Sequence, residues 1–423
     1  MKTRIKHAGR EWLAARRRTR PAPGFTLLEL MVALAVGTIA VTTAYALGAA
    51  SSEQFRAQQR VSNVQTSLRN AMTQIKRDLE RASYHATARS NLAGETCFTT
   101  TTMTDADLSP VRPIQLLDTS NNAGDLALVN MVPGDFPTGT LQADRLVMIG
   151  NYASRDEYIV AGLLASGQSA VLEGGNQPFR RSFTDWGETS PQVLPNQVSD
   201  MFRANRLMRL QNNEGYKFFV EITGTNVNTT TGIVRIDFGN DTLPLGSPCV
   251  GGMMTGAKAA PLSVIRYRLA AASGNTATRS TAIAGPNRQL VREALNPTDQ
   301  TQGVGTASAV LDYVVSFDVD FVIDNRDRST PGAPPLLVSL DDAAAATAVN
   351  ANPEYVRAVV VTLSARTPEM DPRFPWPASG DGTNGAGEIV RYRHTNTGGR
   401  LGASRVRTLR AEIPVSSIAC EGF

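Results

Sequence analysis

The sequence predicts an α+β protein: a long N-terminal α-helix, with a transmembrane half and an amphipathic half, packed on a large antiparallel β-rich globular domain. Three observations carry this expectation. Residues 25–50 are an apolar run with a single charge, Glu29. Apolar residues then recur at helical spacing as far as Leu79. From residue 91 onward, short apolar runs alternate with clusters of Gly, Pro, Asn and Thr, the pattern of strands and turns.

Charge separates the first residues from the rest. Residues 1–24 hold eight basic residues, Lys2, Arg4, Lys6, Arg10, Arg16, Arg17, Arg18 and Arg20, against Glu11, a net +7. The whole chain of 423 residues carries +4, so everything after Gly24 carries −3. The basic pI of about 9.0 therefore reflects this leader and argues nothing about nucleic acid.

The apolar run of residues 25–50 is long enough, at about 1.5 Å per residue, to cross a bilayer core of about 30 Å. Basic residues crowd its N-terminal side, which keeps that end cytoplasmic and sends the rest out. The run is too long for the core of a secretory signal peptide. The cut is instead expected ahead of it, between Gly24 and Phe25, where a residue without Cβ suits a protease that binds its substrate extended. Glu29 then falls in the first helical turn, close to a new amino group at Phe25, where the helix end favours negative charge. A carboxylate at mid-membrane otherwise costs about 2.5–3.5 kcal/mol. Pairing with the N-terminal ammonium of a neighbouring subunit would offset that cost at one axial offset only, making Glu29 a device for register.

The segment Gly24-Phe25-Thr26-Leu27-Leu28-Glu29-Leu30 resembles the prepilin signal of type IV pilins and of the pseudopilins of type II secretion. The resemblance implies that a prepilin peptidase cuts after Gly24 and methylates Phe25, and that Glu29 directs assembly. Many major pilins carry a proline within this helix; here none occurs from residue 25 to 107, so no proline kink is expected. At the level of pattern, a long helix followed by a large β-rich domain that ends in paired strands is similar to PilW-type minor pilins and to GspJ-type pseudopilins. The implied organisation is a leader (1–24), a transmembrane and assembly half of the helix (25–50), an amphipathic half (51–90) and a β-rich domain outside the cytoplasm (91–423).

Past the membrane segment, Val61, Val64, Leu68, Met72, Ile75 and Leu79 lie on one helical face, with Arg69, Lys76 and Arg77 largely off it. No Gly or Pro interrupts residues 51–89, and one helix is expected from about residue 25 to 83. Strands are expected at 125–131, 145–149, 157–161, 206–210, 216–222, 233–238, 263–269, 311–323, 356–366 and 405–415. In the run 311–323, Val315, Phe317, Val319 and Phe321 alternate with Ser316, Asp318 and Asp320, as in a half-buried antiparallel strand. Residues 341–350 read as a short Ala-rich helix capped by Ser339. Segments 121–140, 182–196 and 368–387 read as long loops, the last with Phe374 and Trp376.

Chemistry is sparse. After the leader only His85 and His394 remain, and no HExxH, GxSxG or phosphate-loop pattern occurs, so neither a catalytic residue nor a cofactor is expected. Cys97, Cys249 and Cys420 form no CxxC pair, which argues against zinc. In an exported domain they allow one disulfide and one spare thiol; the pairing stays open, with Cys97–Cys249 favoured because both sit in Gly- and Thr-rich loops. Asp318, Asp320, Asp324, Asn325 and Asp327 cluster, but their spacing is not that of the twelve-residue calcium loop, and no metal site is expected. Arg391, Arg393, Arg400, Arg405, Arg407 and Arg410 occur with no acid between residues 389 and 411. Only Tyr392 interleaves with them, and strand alternation splits Arg405 and Arg407 from Arg410, which favours an Arg-pairing surface over nucleic acid.

The reading is a structural protein: a minor pilin of a type IV pilus that primes assembly and is located at the filament tip. The resemblance implies as partners other minor pilins and the major pilin, the prepilin peptidase, the inner-membrane assembly platform and an adhesin of the PilY type. It also implies a single-pass inner-membrane stage followed by a pilus or pseudopilus. A GspJ-like pseudopilin is the alternative, and a pilus-presented module that binds DNA or a surface is the alternative of another class.

Overall fold

A computed structural model describes residues 24–86, 112–116, 143–164, 167–174, 177–185, 192–228, 231, 233–238, 255–271, 288–296, 303–326, 334, 336–340, 342–376, 382–384, 388–394, 402–416 and 418. The chain divides into two compact units, Met1–Gln59 and Arg60–Phe423.

Helix α1 spans Leu27–Leu79. In the first unit Leu27, Leu34, Ile39 and Leu47 are exposed in different directions around it, as an apolar run without a protein core must be. In the second unit α1 buries Val64, Leu68, Met72, Ile75 and Leu79 of the expected stripe together with Ala71, while Val61 is half-buried and Arg69, Lys76 and Arg77 remain exposed. The helix stops at Leu79 rather than Ser83. Ser83 and His85 take left-handed backbone angles, φ 68° and 58°. The turn they make lets the Ser83 N–H donate to the Ile149 carbonyl at 2.8 Å, and the Asn151 N–H donate to Tyr84 at 2.9 Å. Tertiary hydrogen bonds thus end a helix that local propensity would have continued.

The strands follow in chain order: β1 (Ile114–Leu116), β2 (Leu146–Gly150), β3 (Tyr158–Leu163), β4 (Ser169–Leu172), β5 (Thr184–Asp185) and β6 (Gln192–Val193). Then come β7 (Arg206–Gln211), β8 (Lys217–Ile222), β9 (Gly224–Asn228), β10 (Ile233–Asp237), β11 (Lys258–Ala271), β12 (Arg288–Leu295) and β13 (Gly303–Asp312). The last are β14 (Val314–Asp324), β15 (Leu337–Leu340), β16 (Val356–Arg366), β17 (Asp371–Pro375), β18 (Arg391–His394) and β19 (Gly402–Pro414). Short helices α2 (Gln177–Phe183) and α3 (Pro195–Met201) flank β5 and β6, so the expected loop at 182–196 carries structure. Helix α4 (Asp342–Ala351) is the Ala-rich helix. Ser339 does not cap it: that residue lies in β15, opposite Val322. Expected strand 125–131 and loop 121–140 lie outside the described residues.

Among the described residues, eleven strands form one sheet and six another, all strand pairs antiparallel. Strand β11 is the hub of the first sheet: Lys258–Leu262 pair with β7, and Ser263–Tyr267 with β2. Pro261 sits in the first of these halves, which is why the sequence pattern shows the strand beginning only at 263. The second sheet runs β15-β14-β16-β19-β17, with β18 also on β19. The expected single strand 311–323 is two strands. Tyr313, at φ 58°, breaks it: β13 before it pairs with β12 in the first sheet, and β14 after it pairs with β16 in the second. Alternation continues through the corner, so periodicity alone does not reveal it. An aromatic residue in this conformation costs about 1–2 kcal/mol. The Tyr313 carbonyl accepts the Arg366 N–H at 2.9 Å, and the Arg366 guanidinium lies 5.2 Å from its ring centre, which holds the corner.

The main core lies where the buried face of α1 meets both sheets: Leu68, Ile75 and Leu79 join Met148, Ile265 and Tyr267 of the first sheet and Phe317, Phe321 and Val361 of the second. A separate core under α2 and α3 gathers Tyr158, Phe179, Phe202, Val220 and Ile236. The helix is also tied by charge. Asp78 accepts from the Tyr267 hydroxyl and from Arg292 Nε, both at 2.6 Å, and Tyr267 and Arg292 are cross-strand neighbours on β11 and β12. Burial and then Asp78 push the Tyr267 hydroxyl far above its ordinary pKa, so it serves as a donor.

Removing one partner of such a cluster leaves the others desolvated and unmatched. Asp78→Ala should destabilise the second unit by about 3 kcal/mol in urea titrations of the detergent-solubilised protein. A loss no larger than that of Arg77→Ala, on the exposed face, would show that Asp78 does not lock the helix.

Candidate functional site

At the N-terminus, residues 24–26 precede the helix and Leu27 is its first residue. Thr26 is therefore the N-cap and Glu29 the third helical position. The Glu29 N–H donates to Thr26 Oγ1 at 3.2 Å, and Glu29 Oε2 accepts the Thr26 N–H at 3.3 Å. This reciprocal pair is a capping box, which satisfies two of the backbone donors that a helix start leaves free. Beyond the intersubunit pairing expected of Glu29, the capping box gives it a second role, local to the helix. The signal was present as the spacing Thr26-x-x-Glu29 ahead of an apolar run. Glu29 thus has a local partner within one chain, and its second oxygen and remaining lone pairs are available to another.

Gly24 has open space around it: a Cβ built there would meet nothing within 4 Å. Packing in the folded chain does not require glycine at this position. Phe25 is exposed beside it. Further along, Thr38, Thr42 and Thr43 each donate their hydroxyl to a carbonyl three or four residues back, at 2.9–3.0 Å. These bonds hide the hydroxyls from an apolar medium. A shallow apolar groove at Gly37 is lined by Leu30, Ala33, Leu34, Thr38, Val41 and Thr42. Helix α1 is long and apolar enough to cross a membrane.

The other candidates are placed as follows. Cys97 and Cys249, the favoured disulfide, and Cys420 lie outside the described residues. Asp324 is buried, and its carboxylate takes N–H groups of Arg326 and Leu336 and the guanidiniums of Arg326 and Arg357 at 3.0 and 3.3 Å. Burial opposes its ionisation, but these donors hold its carboxyl below the ordinary value. Asp320 lies on β14, 3.8 Å from Arg410. Arg410 projects from the opposite side of β19 to Arg405 and Arg407, by strand alternation. His394 falls in β18. Among the described residues, no three His, Cys, Asp or Glu side chains group as a metal site would need.

His85 stands at the turn after α1. Its ring stacks on Tyr84 at 4.0 Å, and Nδ1 lies 3.8 Å from Glu157 Oε1. Glu157 also binds Arg209, and Lys258 at 3.5 Å. Burial lowers the His85 pKa, partly opposed by Glu157 and reinforced by Arg209. Burial alone would raise the Glu157 carboxyl, but Arg209, His85 and Lys258 draw it below the ordinary value.

Residues 20–45 match the prokaryotic N-terminal methylation motif, the type IV pilin-like prepilin signal. No curated protein and no solved structure matches the chain.

The His85 cluster sets a pH dependence. With its folded pKa below that of the unfolded chain, about 6.5, the unfolded state takes up a proton first as pH falls, and folding weakens. Glu157, depressed, loses its stabilising contribution in the same direction at lower pH. His85→Gln should therefore flatten the fall in melting temperature between about pH 7 and pH 5. An unchanged slope would remove His85 from the cause.

Proposed function

We propose that this chain is a minor pilin of a type IV pilus, cut after Gly24, N-methylated at Phe25, and built into the filament through helix α1. The observation that carries the reading is the prepilin signal at residues 20–45, which covers most of a membrane-length apolar run, residues 25–50, whose one charge is Glu29. Over residues 27–50 the helix bears exposed apolar side chains on all sides, hydroxyls bonded to its own backbone and a shallow apolar groove at Gly37, as suits a helix that exchanges lipid for neighbouring helices. The protein's role is packing rather than catalysis. It sits in the inner membrane before assembly, with residues 91–423 on the periplasmic side, and then enters the filament. Its partners are other minor pilins, the major pilin, the prepilin peptidase and the assembly platform, with a PilY-type adhesin at the tip. The large β-rich second unit supports a priming and tip role over that of a repeating subunit, since bulk at the side of every subunit would crowd a filament. The same signal serves pseudopilins, so a short periplasmic filament of type II secretion is the second reading.

The two roles of Glu29 can be separated. Glutamine keeps a capping box but has no charge to pair with an ammonium group. Glu29→Gln and Glu29→Ala should both be processed and both enter sheared filaments at least about tenfold less than the wild type, since the missing term is the charge pair. Normal incorporation of Glu29→Gln would contradict the register mechanism and leave Glu29 a capping residue. Loss of the gene should remove surface pili and spare type II secretion; the reverse result would move the protein to the pseudopilus.

A further inference from the structure

Strand β18 sets Arg391 directly opposite Arg405 on β19. Like charges facing each other across a strand pair are unfavourable. Arg407 follows two residues on and shares the same face of β19. Phe374, in β17, takes both members of the facing pair: the guanidinium carbons of Arg391 and Arg405 lie 4.2 and 4.8 Å from its ring centre. Asp371 accepts from Arg405 Nε at 2.8 Å. Arg391 and Arg407 pair with no carboxylate among the described residues. The Nε atoms of both are sealed from solvent without a hydrogen-bond partner, although each residue is half-buried and not enclosed. Three arginines therefore share one face with a single paired carboxylate among the described residues, a gathering that costs stability in the isolated chain.

We infer that this face is a docking site for an extended acidic segment of a partner protein, with carboxylates at alternate positions seated on Arg391, Arg405 and Arg407. Guanidinium forks match carboxylates two bonds at a time, and half-burial strengthens such bonds. Arg405 and Arg407 are two residues apart on a strand, about 6.6 Å, which is also the spacing of alternate side chains on an extended peptide. A nucleic acid is a poorer fit. Its sequence-tolerant binding uses open aromatic faces for base stacking. Here Phe374 is covered by two guanidiniums, and Tyr392 is buried, with the Arg366 guanidinium 4.6 Å from its ring centre. Arg410 does not extend the patch, since it faces the other way, toward Asp320. The site lies wholly within the second unit and does not depend on how the first is anchored.

The test uses the full-length protein in detergent and a short fluorescent peptide alternating Glu and Thr, read by fluorescence anisotropy. Binding is expected at low salt, weakened at about 0.3 M salt. The double substitution R391Q/R407Q, which strands no carboxylate, should weaken it by about tenfold or more, with the melting temperature unchanged or raised. R410Q, on the other face, should bind as the wild type does. The inference is overturned if the peptide fails to bind at low salt, or binds R391Q/R407Q as tightly as the wild type. It is equally overturned if a thymidine oligonucleotide binds more tightly than the peptide and loses its affinity in R391Q/R407Q, since the site would then serve nucleic acid.

Discussion

One helix must satisfy two different surroundings, and most of the molecule follows from that. Over residues 27–50 it is apolar all round, interrupted by the single carboxylate of Glu29. From residue 64 its apolar side chains narrow to one face, and that face is buried between two sheets. The first condition permits residence in a lipid core or a bundle of like helices. The second makes the helix part of the β-rich unit, because removing Leu68, Ile75 or Leu79 would open the middle of the main core. A helix with only one of these patterns would be an anchor or a core element. Carrying both, one helix has the sequence features of each.

The second unit is built so that both sheets can reach this helix. Tyr313 turns the chain from one sheet to the other, and Asp144 bridges back, its N–H donating to the Phe317 carbonyl and its carboxylate accepting the Val319 N–H at 2.6 Å. Charged clusters pin β11 on both of its faces. Asp78 joins the helix to β11 and β12, and on the face turned away from the helix Glu293 takes Arg266 and Arg268 of β11 at 2.7 and 2.6 Å. Such groups are costly singly, which makes alternative registers of these strands unfavourable.

How far this could be read from sequence depends on the kind of signal. The helix was legible because its stripe repeats over five turns, and the strands 206–210, 216–222 and 356–366 because they alternate between turn residues. Strand β12 was not, because Arg288, Arg292 and Glu293 break its apolar pattern; they are buried or half-buried by pairing, which sequence does not display. The corner at Tyr313 and the helix end at Leu79, followed by left-handed Ser83 and His85, were hidden for a related reason: isolated left-handed residues are chosen by tertiary bonds, not by local composition. At the N-terminus, Gly24, Phe25 and Glu29 stand out by type and spacing, and the capping partner Thr26 is legible in the spacing Thr26-x-x-Glu29. The arginine face shows the limit most clearly. Arg405 and Arg407 could be placed together by alternation, but only strand pairing brings Arg391 opposite them and Phe374 between.

The central claim is that residues 24–29 are read by a pilin-processing machinery before α1 takes up its place. The most direct measurement is mass spectrometry of the N-terminal peptide of the protein extracted from membranes. The account predicts a chain that begins at Phe25 and carries one methyl group on its amine. A chain that still begins at Met1, in cells with an active prepilin peptidase, would contradict it and leave a signal-anchored surface domain in place of a filament subunit.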